Sequence, residues 1–369
     1  MTDVIIVGGG IIGLLTAREL TAAGCSVKLI DKQEPGREAS WAGGGIVSPL
    51  YPWHYDDAIT GLVRWAQAYY PELSEALLAE TGIDPEFSPC GLYMLDSEDH
   101  DKALQWARRV SADLAEVDIE QVYCNIPALR PGYHKALMMP GVGNIRNPRL
   151  LKALVTSLLM SEQFELVTHE PVNGLWVENN RLLGVQSDSG HHKAGKVLIA
   201  AGAWSPLLTQ SLDLSLTIEP VRGEMLVFEP KPGLLPSMVL SNGKYLIPRR
   251  DGRIVVGSTT ERVGYNKDTT GAGRETLLTS AFGIMPMLKT LRVEKHWAGL
   301  RPGAPAGLPF MGEAPDTRGL FVCAGHYRNG LVTAPASARL MADLMLGRAP
   351  EISPEPFRLD RETIEADMY

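Results

Sequence analysis

Short apolar runs separated by glycine turns dominate the first thirty residues. Val4–Val7 has the composition of a buried strand, residues 11–23 have the spacing of a helix that stops at Gly24, and Val27–Ile30 is a second apolar run that ends at Asp31. A strand, a helix and a strand in this order are typical of a βαβ unit in a parallel sheet.

The pattern changes further along the chain. Residues 60–135 are more charged and mostly helix-like in spacing, and residues 150–160 predict another helix. From 214 to 300, strand-like runs alternate with turns and predict a mixed or antiparallel sheet, and a last helix is predicted at 334–346. The predicted strands in these regions are Leu92–Leu95, Val172–Asn173, Leu182–Ser187, Val197–Ala200, Glu224–Phe228, Tyr245–Ile247, Ile254–Val256, Lys295–Ala298 and Leu320–Ala324.

These patterns predict an α/β fold with two domains. A Rossmann-like nucleotide-binding domain is expected to be assembled from residues 1–85, 145–214 and 300–369. The second domain is expected to be an α+β substrate domain built around the mixed or antiparallel sheet, from residues 86–144 and 215–299. A chain of 369 residues is long enough for both.

Composition narrows the possible partners and location. The net charge of −8 is spread over the sequence without a basic cluster, so no nucleic-acid binding is expected. The four cysteines have neither disulfide-framework nor zinc-like spacing, and no metal site is predicted. The N-terminus lacks the features of a signal peptide, and no apolar stretch has the length of a membrane span. We therefore predict a cytoplasmic protein.

A dinucleotide-binding fingerprint, Gly8-x-Gly10-x-x-Gly13, joins the first predicted strand to the first helix. Such glycines permit a tight turn, a close approach of the backbone to a pyrophosphate, and close packing of helix against strand. Asp31 ends the second strand, where a carboxylate accepts hydrogen bonds from ribose hydroxyls and repels the 2′-phosphate of NADP. The alternative is a glycine turn that binds nothing. The predicted contact residues are Gly8, Gly10, Ile11, Ile12, Gly13, Asp31 and Lys32.

Two further segments favour FAD over NAD as the dinucleotide. The loop 38–45 is small and hydroxyl-bearing, which suits a backbone laid against a phosphate and an isoalloxazine ring. Segment 319–330 reads as a strand and a glycine turn before a helix, with Thr333 and Pro335 in that helix's first turn, and its positive end would stabilise charge on a reduced flavin. The residues predicted at FAD from these segments are Ser40, Gly43, Gly44, Gly45, His326, Tyr327, Arg328, Asn329, Gly330 and Leu331.

Several stretches together resemble the D-amino acid oxidase family of flavoproteins and, within it, the glycine oxidases. The similarity covers nearly the whole chain. Besides the fingerprint, it is carried by Pro220–Glu224, Ala200–Ser205, Trp297–Gly303 and residues 319–330. Some proteins of this broader group attach FAD through a cysteine near the C-terminal motif; because the turn here is His326-Tyr327-Arg328-Asn329, we expect non-covalent FAD.

The resemblance also implies roles for individual residues. It places Val172 at the adenine, and Ala201, Gly202 and Trp204 near the nucleotide. It further implies that the substrate carboxylate meets Arg301 and Tyr245, since a guanidinium grips a carboxylate with two parallel hydrogen bonds. The alternatives are an arginine paired with a structural carboxylate and a tyrosine that is only part of the core. Arg328 could touch the substrate or the flavin, and no side chain is predicted as an acid or base catalyst.

The implied reaction is the oxidative deamination of glycine and other small amines or D-amino acids, such as sarcosine, D-alanine and D-proline. Hydride passes from Cα to flavin N5. O₂ then reoxidises the flavin and yields H₂O₂, and water hydrolyses the imine, so that glycine gives glyoxylate and ammonia. The glycine oxidase group also supplies iminoacetate for the thiazole ring of thiamine. Thr260 stands where related glycine oxidases tend to carry methionine, which leaves the substrate range open.

Other readings remain open from the sequence. A dehydrogenase of the same fold would pass its electrons to a quinone or a partner protein instead of O₂. A nucleotide-binding subunit without chemistry and an NAD-dependent dehydrogenase are further alternatives. Members of the family are commonly homo-oligomers, and the same is expected here.

Overall fold

A computed structural model describes residues 2–212, 214 and 216–362 of the chain. The strands in this part are β1 (Thr2–Val7), β2 (Val27–Ile30), β3 (Leu92–Leu95), β4 (Ala115–Val117), β5 (Ala136–Met139), β6 (Phe164–Val167), β7 (Val172–Glu178), β8 (Arg181–Ser187), β9 (Gly190–Ile199), β10 (Glu219–Phe228), β11 (Met238–Ser241), β12 (Lys244–Pro248), β13 (Ile254–Gly257), β14 (Val293–Gly303), β15 (Phe310–Glu313) and β16 (Leu320–Ala324). They form two eight-stranded sheets.

The helices of the same residues lie between these strands. They are α1 (Ile11–Ala22), α2 (Ala39–Ala42), α3 (Asp57–Thr81), α4 (His100–Val110), α5 (Ile119–Asn125), α6 (Asn147–Leu159), α7 (Ser205–Thr209), α8 (Gly271–Ile284) and α9 (Gly330–Leu346). The long helix α3 begins at Asp56, whose carboxylate accepts the N–H of Ala58, and ends at Gly82 in the left-handed conformation.

The first sheet is built around the predicted βαβ unit. Its main path runs β15-β16-β9-β1-β2-β6, and β8 joins β9 to β7. Strand β1 pairs in parallel with both β2 and β9, and Val4–Val7 is buried throughout. Apolar residues of α1, α3, α6 and α9 share one core against this sheet. Ile5 and Val7 face the opposite side, where they share a second core with apolar residues of β8 such as Leu182 and Val185, so the central strands are apolar on both faces.

The second sheet has the order β14-β10-β13-β12-β11-β3-β5-β4. Its neighbours are antiparallel except for β11 and β3, which run in parallel. Helix α8 packs apolar side chains such as Leu277 and Ala281 into its core. The α/β class and the mixed sheet are therefore confirmed, whereas the exact division into domains stays a prediction.

Several element bounds differ from the sequence expectation. The strands that were not predicted are β4, β5, β6, β11 and β15, and helix α8 was not predicted either; tertiary packing orders these elements. Strand β14 runs on to Gly303 because it remains paired with β10, opposite Glu219. Proline is tolerated there because β14 is an edge strand.

The last helix also begins earlier than expected, at Gly330 rather than near 334. Pro335 therefore lies beyond the first turn, which corrects its predicted place. The Thr333 hydroxyl donates a hydrogen bond to the Asn329 carbonyl, four residues earlier, and so links the first turn of α9 to the residue that precedes the helix. The consequence is that the free end of α9 lies at Gly330, next to the glycine turn.

Candidate active site

A cavity of about 340 Å³ opens along the carboxyl ends of the central strands of the first sheet. This edge is where parallel α/β sheets bind ligands. All residues predicted at the dinucleotide line it except Gly13 and Asn329. The segments that the sequence separates by some 300 residues are thus brought to one cavity by the β1–β9–β16 pairing.

The first glycine turn leaves no room for side chains. Gly8 has a φ of +109°, and a Cβ there would lie 2.5 Å from the Ala200 carbonyl oxygen. A Cβ on Gly13 would overlap the Gly8 carbonyl oxygen. Gly13 therefore serves the site through the packing of α1 on β1, as the fingerprint predicts, although it is not part of the cavity wall.

Asp31 holds the turn in place. One carboxylate oxygen accepts the N–H of Gly9 at 2.6 Å and the other accepts the N–H of Gln33 at 2.9 Å. Burial raises the pKa of this carboxyl, and the two backbone N–H groups oppose that effect. Each oxygen keeps acceptor capacity, so hydrogen bonds to ribose hydroxyls remain possible.

The neighbouring Lys32 places its ammonium 3.5 Å from the centroid of the Trp204 ring. Both residues line the cavity.

Backbone donors without acceptors line the cavity at three places. At the start of α1, the Ile11 N–H is satisfied by the Ser40 hydroxyl at 2.9 Å, but those of its neighbours are not. Within residues 2–212, 214 and 216–362, the cavity-lining N–H groups that have no hydrogen-bond acceptor include those of Gly10, Ile12, Gly44, Gly45, Gly330 and Leu331. Because unpaired buried N–H groups are rare in proteins, this set fits a ligand rich in anionic and carbonyl oxygens.

The first turn of α9 presents the positive end of the helix dipole, and two titratable side chains beside it, His326 and Cys323, are held neutral by burial. Burial lowers the pKa of His326 to about 3, and its Nε2 lies 3.0 Å from the Ser337 hydroxyl. Burial also raises the pKa of the Cys323 thiol. His326 is therefore a structural partner of α9 and a poor base near neutral pH.

A second, smaller cavity of about 100 Å³ adjoins the first. The two share Gly43 and Gly44 of the glycine loop, as well as Arg301 and Arg328. Tyr245 lines only the smaller one. The structure thus brings the three predicted substrate residues together, beside the loop predicted to hold the flavin.

Arg301 lies in β14, opposite Val221 of β10. The continuous β10–β14 ladder therefore holds the backbone of this residue in place. Its guanidinium donates to the Ser258 hydroxyl at 2.6 Å and to the Thr259 carbonyl at 3.2 Å. Gly223 makes space for it, since a Cβ there would overlap the guanidinium. Burial lowers its pKa, whereas Tyr245 has a raising effect.

Positive charge is uncompensated around this small cavity. Arg328 donates to the Thr260 hydroxyl at 3.0 Å and Lys244 donates to the Ser258 carbonyl at 3.0 Å. In the part of the chain that the structure describes, no carboxylate lies within 4.0 Å of Arg301, Arg328 or Lys244. Burial lowers the pKa of Lys244, and Arg328 and Arg301 lower it further. This arrangement favours an anion.

Sequence reasoning missed several residues at this site, among them Gly223, Gly257, Ser258 and Lys244. A Cβ on Gly257 would lie 2.5 Å from the Tyr245 hydroxyl. Gly223 lies within the Pro220–Glu224 stretch that carried the family resemblance, which was the available signal. The other three had no local pattern that marked them.

No group of three or more metal-ligating side chains was found in the ranges described above. Across the same residues, no helix combines the length and the apolar composition that a membrane crossing requires.

Comparison with known proteins decides the family. The model of the FAD dependent oxidoreductase family, DAO, matches residues 3–344. The chain belongs to this family. It is therefore an FAD-dependent oxidoreductase, and the free donors of the large cavity fit the pyrophosphate, the ribityl oxygens and the isoalloxazine carbonyls of FAD.

Three similar proteins each match more than nine-tenths of this chain. A glycine oxidase of Pseudomonas aeruginosa is 50% identical over 354 residues, which are 96% of this chain and 97% of that protein. The crystal structure of glycine oxidase from Geobacillus kaustophilus matches with a TM-score of 0.92 and 30% identity, covering 98% of each chain. A bifunctional protein ThiO/ThiG of Trichormus variabilis is 30% identical over 93% of this chain and 52% of its own length.

Proposed function

We propose that this FAD-dependent oxidoreductase is an amine oxidase that converts glycine to glyoxylate and ammonia, with O₂ as the electron acceptor. The observation that carries the proposal is the guanidinium of Arg301, which has no carboxylate partner among the described residues and lies in a cavity of about 100 Å³ beside the cofactor cavity. Such a cavity suits glycine, sarcosine, D-alanine or D-proline better than a large amino acid.

The residues of the large cavity would hold FAD without a covalent bond. The free N–H groups at the start of α1 suit the pyrophosphate, Asp31 suits the ribose, and Val172 suits the adenine. The first turn of α9 would place its positive end toward the isoalloxazine carbonyls. Bound FAD supplies the two-electron acceptor that takes hydride from the substrate α-carbon and delivers the electrons to O₂. Release of all flavin by acid precipitation would test the non-covalent attachment.

The protein side chains would act by orienting the substrate. The fork of Arg301 takes the carboxylate and the Tyr245 hydroxyl donates to it, which fixes the direction of the α-carbon. The charges of Arg301, Arg328 and Lys244 lower the pKa of the substrate ammonium and so favour the neutral amine. No acid or base catalyst is needed in this scheme, in agreement with the low pKa of His326.

Anaerobic mixing with glycine tests the function directly. The yellow flavin absorbance is expected to bleach, and air should restore it with one H₂O₂ formed for each glyoxylate. A panel with sarcosine, D-alanine, D-proline and a bulky D-amino acid ranks the substrates. If none of the small amines bleached the flavin, the proposed substrate class would be wrong.

The similarity to proteins named glycine oxidase favours an oxidase over a dehydrogenase that uses a quinone or partner protein. The same anaerobic experiment separates the two. Flavin that is reduced by glycine but reoxidised slowly in air, and rapidly by an added quinone, would indicate the dehydrogenase.

Three further properties belong to this proposal. The similarity to a protein named ThiO/ThiG is compatible with supply of the imine of glycine to thiazole synthesis. We also expect the protein to lie in the cytoplasm and to assemble into a homo-oligomer. Growth of a deletion strain without thiamine, cell fractionation and sedimentation would test them one by one.

A further inference from the structure

Arg249, just beyond β12, reaches from the second sheet to the glycine loop at the cofactor cavity. Its guanidinium donates to the Gly44 carbonyl at 2.8 Å, to the Ile145 carbonyl at 3.0 Å and to the Asn144 side-chain oxygen at 3.0 Å. Gly44 lines both the large and the small cavity. One side chain thus connects the substrate-binding sheet with the loop shared by the two cavities.

The charge of Arg249 is not used in an ion pair. Within residues 2–212, 214 and 216–362, no carboxylate lies within 4.0 Å of it; the nearby acidic groups Glu86 and Asp251 are bound to Arg146. Burial lowers the pKa of the Arg249 guanidinium to about 10. Removing the Arg249 guanidinium from water costs solvation free energy, and hydrogen bonds to three neutral oxygens recover it less well than an ion pair would. This cost indicates a role beyond the stability of the fold.

The strand geometry explains how Arg249 relates to the substrate. Residues 245, 247 and 249 alternate along the chain and so project from the same face of β12. Tyr245 lines the small cavity, the Ile247 side chain packs where a Cβ on Gly44 would lie, and Arg249 bonds the Gly44 carbonyl. The ladder continues past the strand, since the Arg249 N–H donates to the Arg253 carbonyl at 2.8 Å.

The bond to Gly44 also sets the orientation of a peptide group. In a planar trans peptide, the carbonyl of one residue and the N–H of the next point in opposite directions. With its carbonyl directed at Arg249, the Gly44–Gly45 peptide directs the Gly45 N–H away from Arg249. Gly45 lines the large cavity, and its N–H has no acceptor among the described residues. A charge-assisted bond to the carbonyl also polarises the peptide and strengthens that N–H as a donor.

We propose that Arg249 is a positioning residue. It orients the Gly44–Gly45 peptide as a hydrogen-bond donor in the FAD cavity and fixes the position of that peptide relative to Tyr245 in the substrate cavity. The inference rests on the FAD dependence of the family and, for Tyr245, on the proposed function. Arg249 itself touches neither ligand cavity.

The test compares Arg249→Met with Arg250→Met. Arg250 is the next residue, is 49% exposed, and pairs with Asp84, so it controls for loss of one positive charge in the same segment. The first measurement is the Kd of FAD for each apoprotein, followed by flavin fluorescence. The second is the Kd of acetate for each holoenzyme, followed by the flavin absorption spectrum, because acetate is a carboxylate without an amine and undergoes no turnover.

Arg249→Met is expected to weaken FAD binding by about tenfold or more, the effect of losing a charge-assisted hydrogen bond, and to alter the flavin spectrum. Arg249→Met should also lower the affinity for acetate, although Arg301 is intact. Arg250→Met should leave both constants within about twofold, as surface ion pairs contribute little. Unchanged FAD affinity and spectrum in Arg249→Met, or equal losses in both variants, would overturn the proposal.

Arg249→Lys keeps the test decisive if Arg249→Met does not fold. Lysine preserves the charge but cannot reproduce the planar fork that spans Gly44, Ile145 and Asn144. FAD affinity should therefore fall in this variant while the melting temperature of the apoprotein stays near the parent value. A lysine variant with parental FAD affinity and spectrum would refute a positioning role. Failure of acetate to bind even the parent protein would count against the carboxylate clamp, and the FAD titration would still decide the role of Arg249.

Discussion

Replacement of Arg301 by alanine removes the one side chain on which the substrate assignment depends. In the structure, its guanidinium is desolvated, is oriented by Ser258 and Thr259, and has no acidic partner in the residues described. A substrate carboxylate would therefore be its main counter-charge. Breaking a desolvated charge pair costs about 2–5 kcal/mol, which corresponds to a loss in kcat/KM of about 30-fold to several thousand-fold.

The fall in kcat/KM should exceed what the loss of the hydrogen bonds from Arg301 to the Ser258 hydroxyl and to the Thr259 and Arg222 carbonyls would explain. Those contacts are to neutral oxygens, and their loss affects folding more than substrate binding. Steady-state peroxide formation with glycine gives kcat/KM, and titration of the holoenzyme with acetate gives the affinity for the carboxylate alone. Both should fall together in Arg301→Ala.

Arg292→Ala is a suitable control, because Arg292 is 75% exposed and belongs to the same strand region. It should leave kcat/KM and the acetate affinity unchanged. A kcat/KM for glycine in Arg301→Ala within about threefold of the parent would remove Arg301 from the substrate site. Equal losses in the two variants would point to a general effect of charge.

Three other changes have expected outcomes. Tyr245→Phe should lower kcat/KM for glycine by about 10- to 100-fold if the hydroxyl donates to the carboxylate, with an unchanged flavin content; a normal kcat/KM would mean a core role. Gly8→Ala should yield protein with little bound FAD, measured by its absorbance, because its Cβ meets the Ala200 carbonyl at 2.5 Å; a full complement of FAD would contradict this. For His326, the folded pKa is about 3 and the ordinary value is 6.5, so the unfolded chain binds the proton first as pH falls. The contribution of His326 to the free energy of unfolding is therefore complete above pH 6.5. Below that pH it declines, by about 2–3 kcal/mol at pH 4.5. His326→Gln should therefore flatten the acid side of the melting-temperature profile, and an unchanged acid slope would argue against it.

Local patterns in the sequence were enough for the dinucleotide half of the site. The strand, the glycine turn and the helix are adjacent in the chain, and the steric need for glycine at Gly13 arises within that short segment, where a Cβ would overlap the Gly8 carbonyl oxygen. The close contact of Gly8 with the Ala200 carbonyl depends on the pairing of β1 with β9. The role of Asp31 was foreseen only in part, since its bonds to the Gly9 and Gln33 N–H groups required coordinates. Arg301 and Tyr245 were named through family resemblance, because nothing in their neighbourhood distinguishes them from structural residues.

Sequence alone determined what depends on consecutive residues: the βαβ unit, the nucleotide fingerprint and the α/β class. Tertiary structure decided what depends on pairing between distant strands. The β10–β14 ladder places Gly223 under the guanidinium of Arg301, and the β12–β13 ladder places Gly257 under Tyr245. The reach of Arg249 to Gly44 spans 205 positions. Such contacts follow from register and burial across the whole sheet, which no short segment encodes.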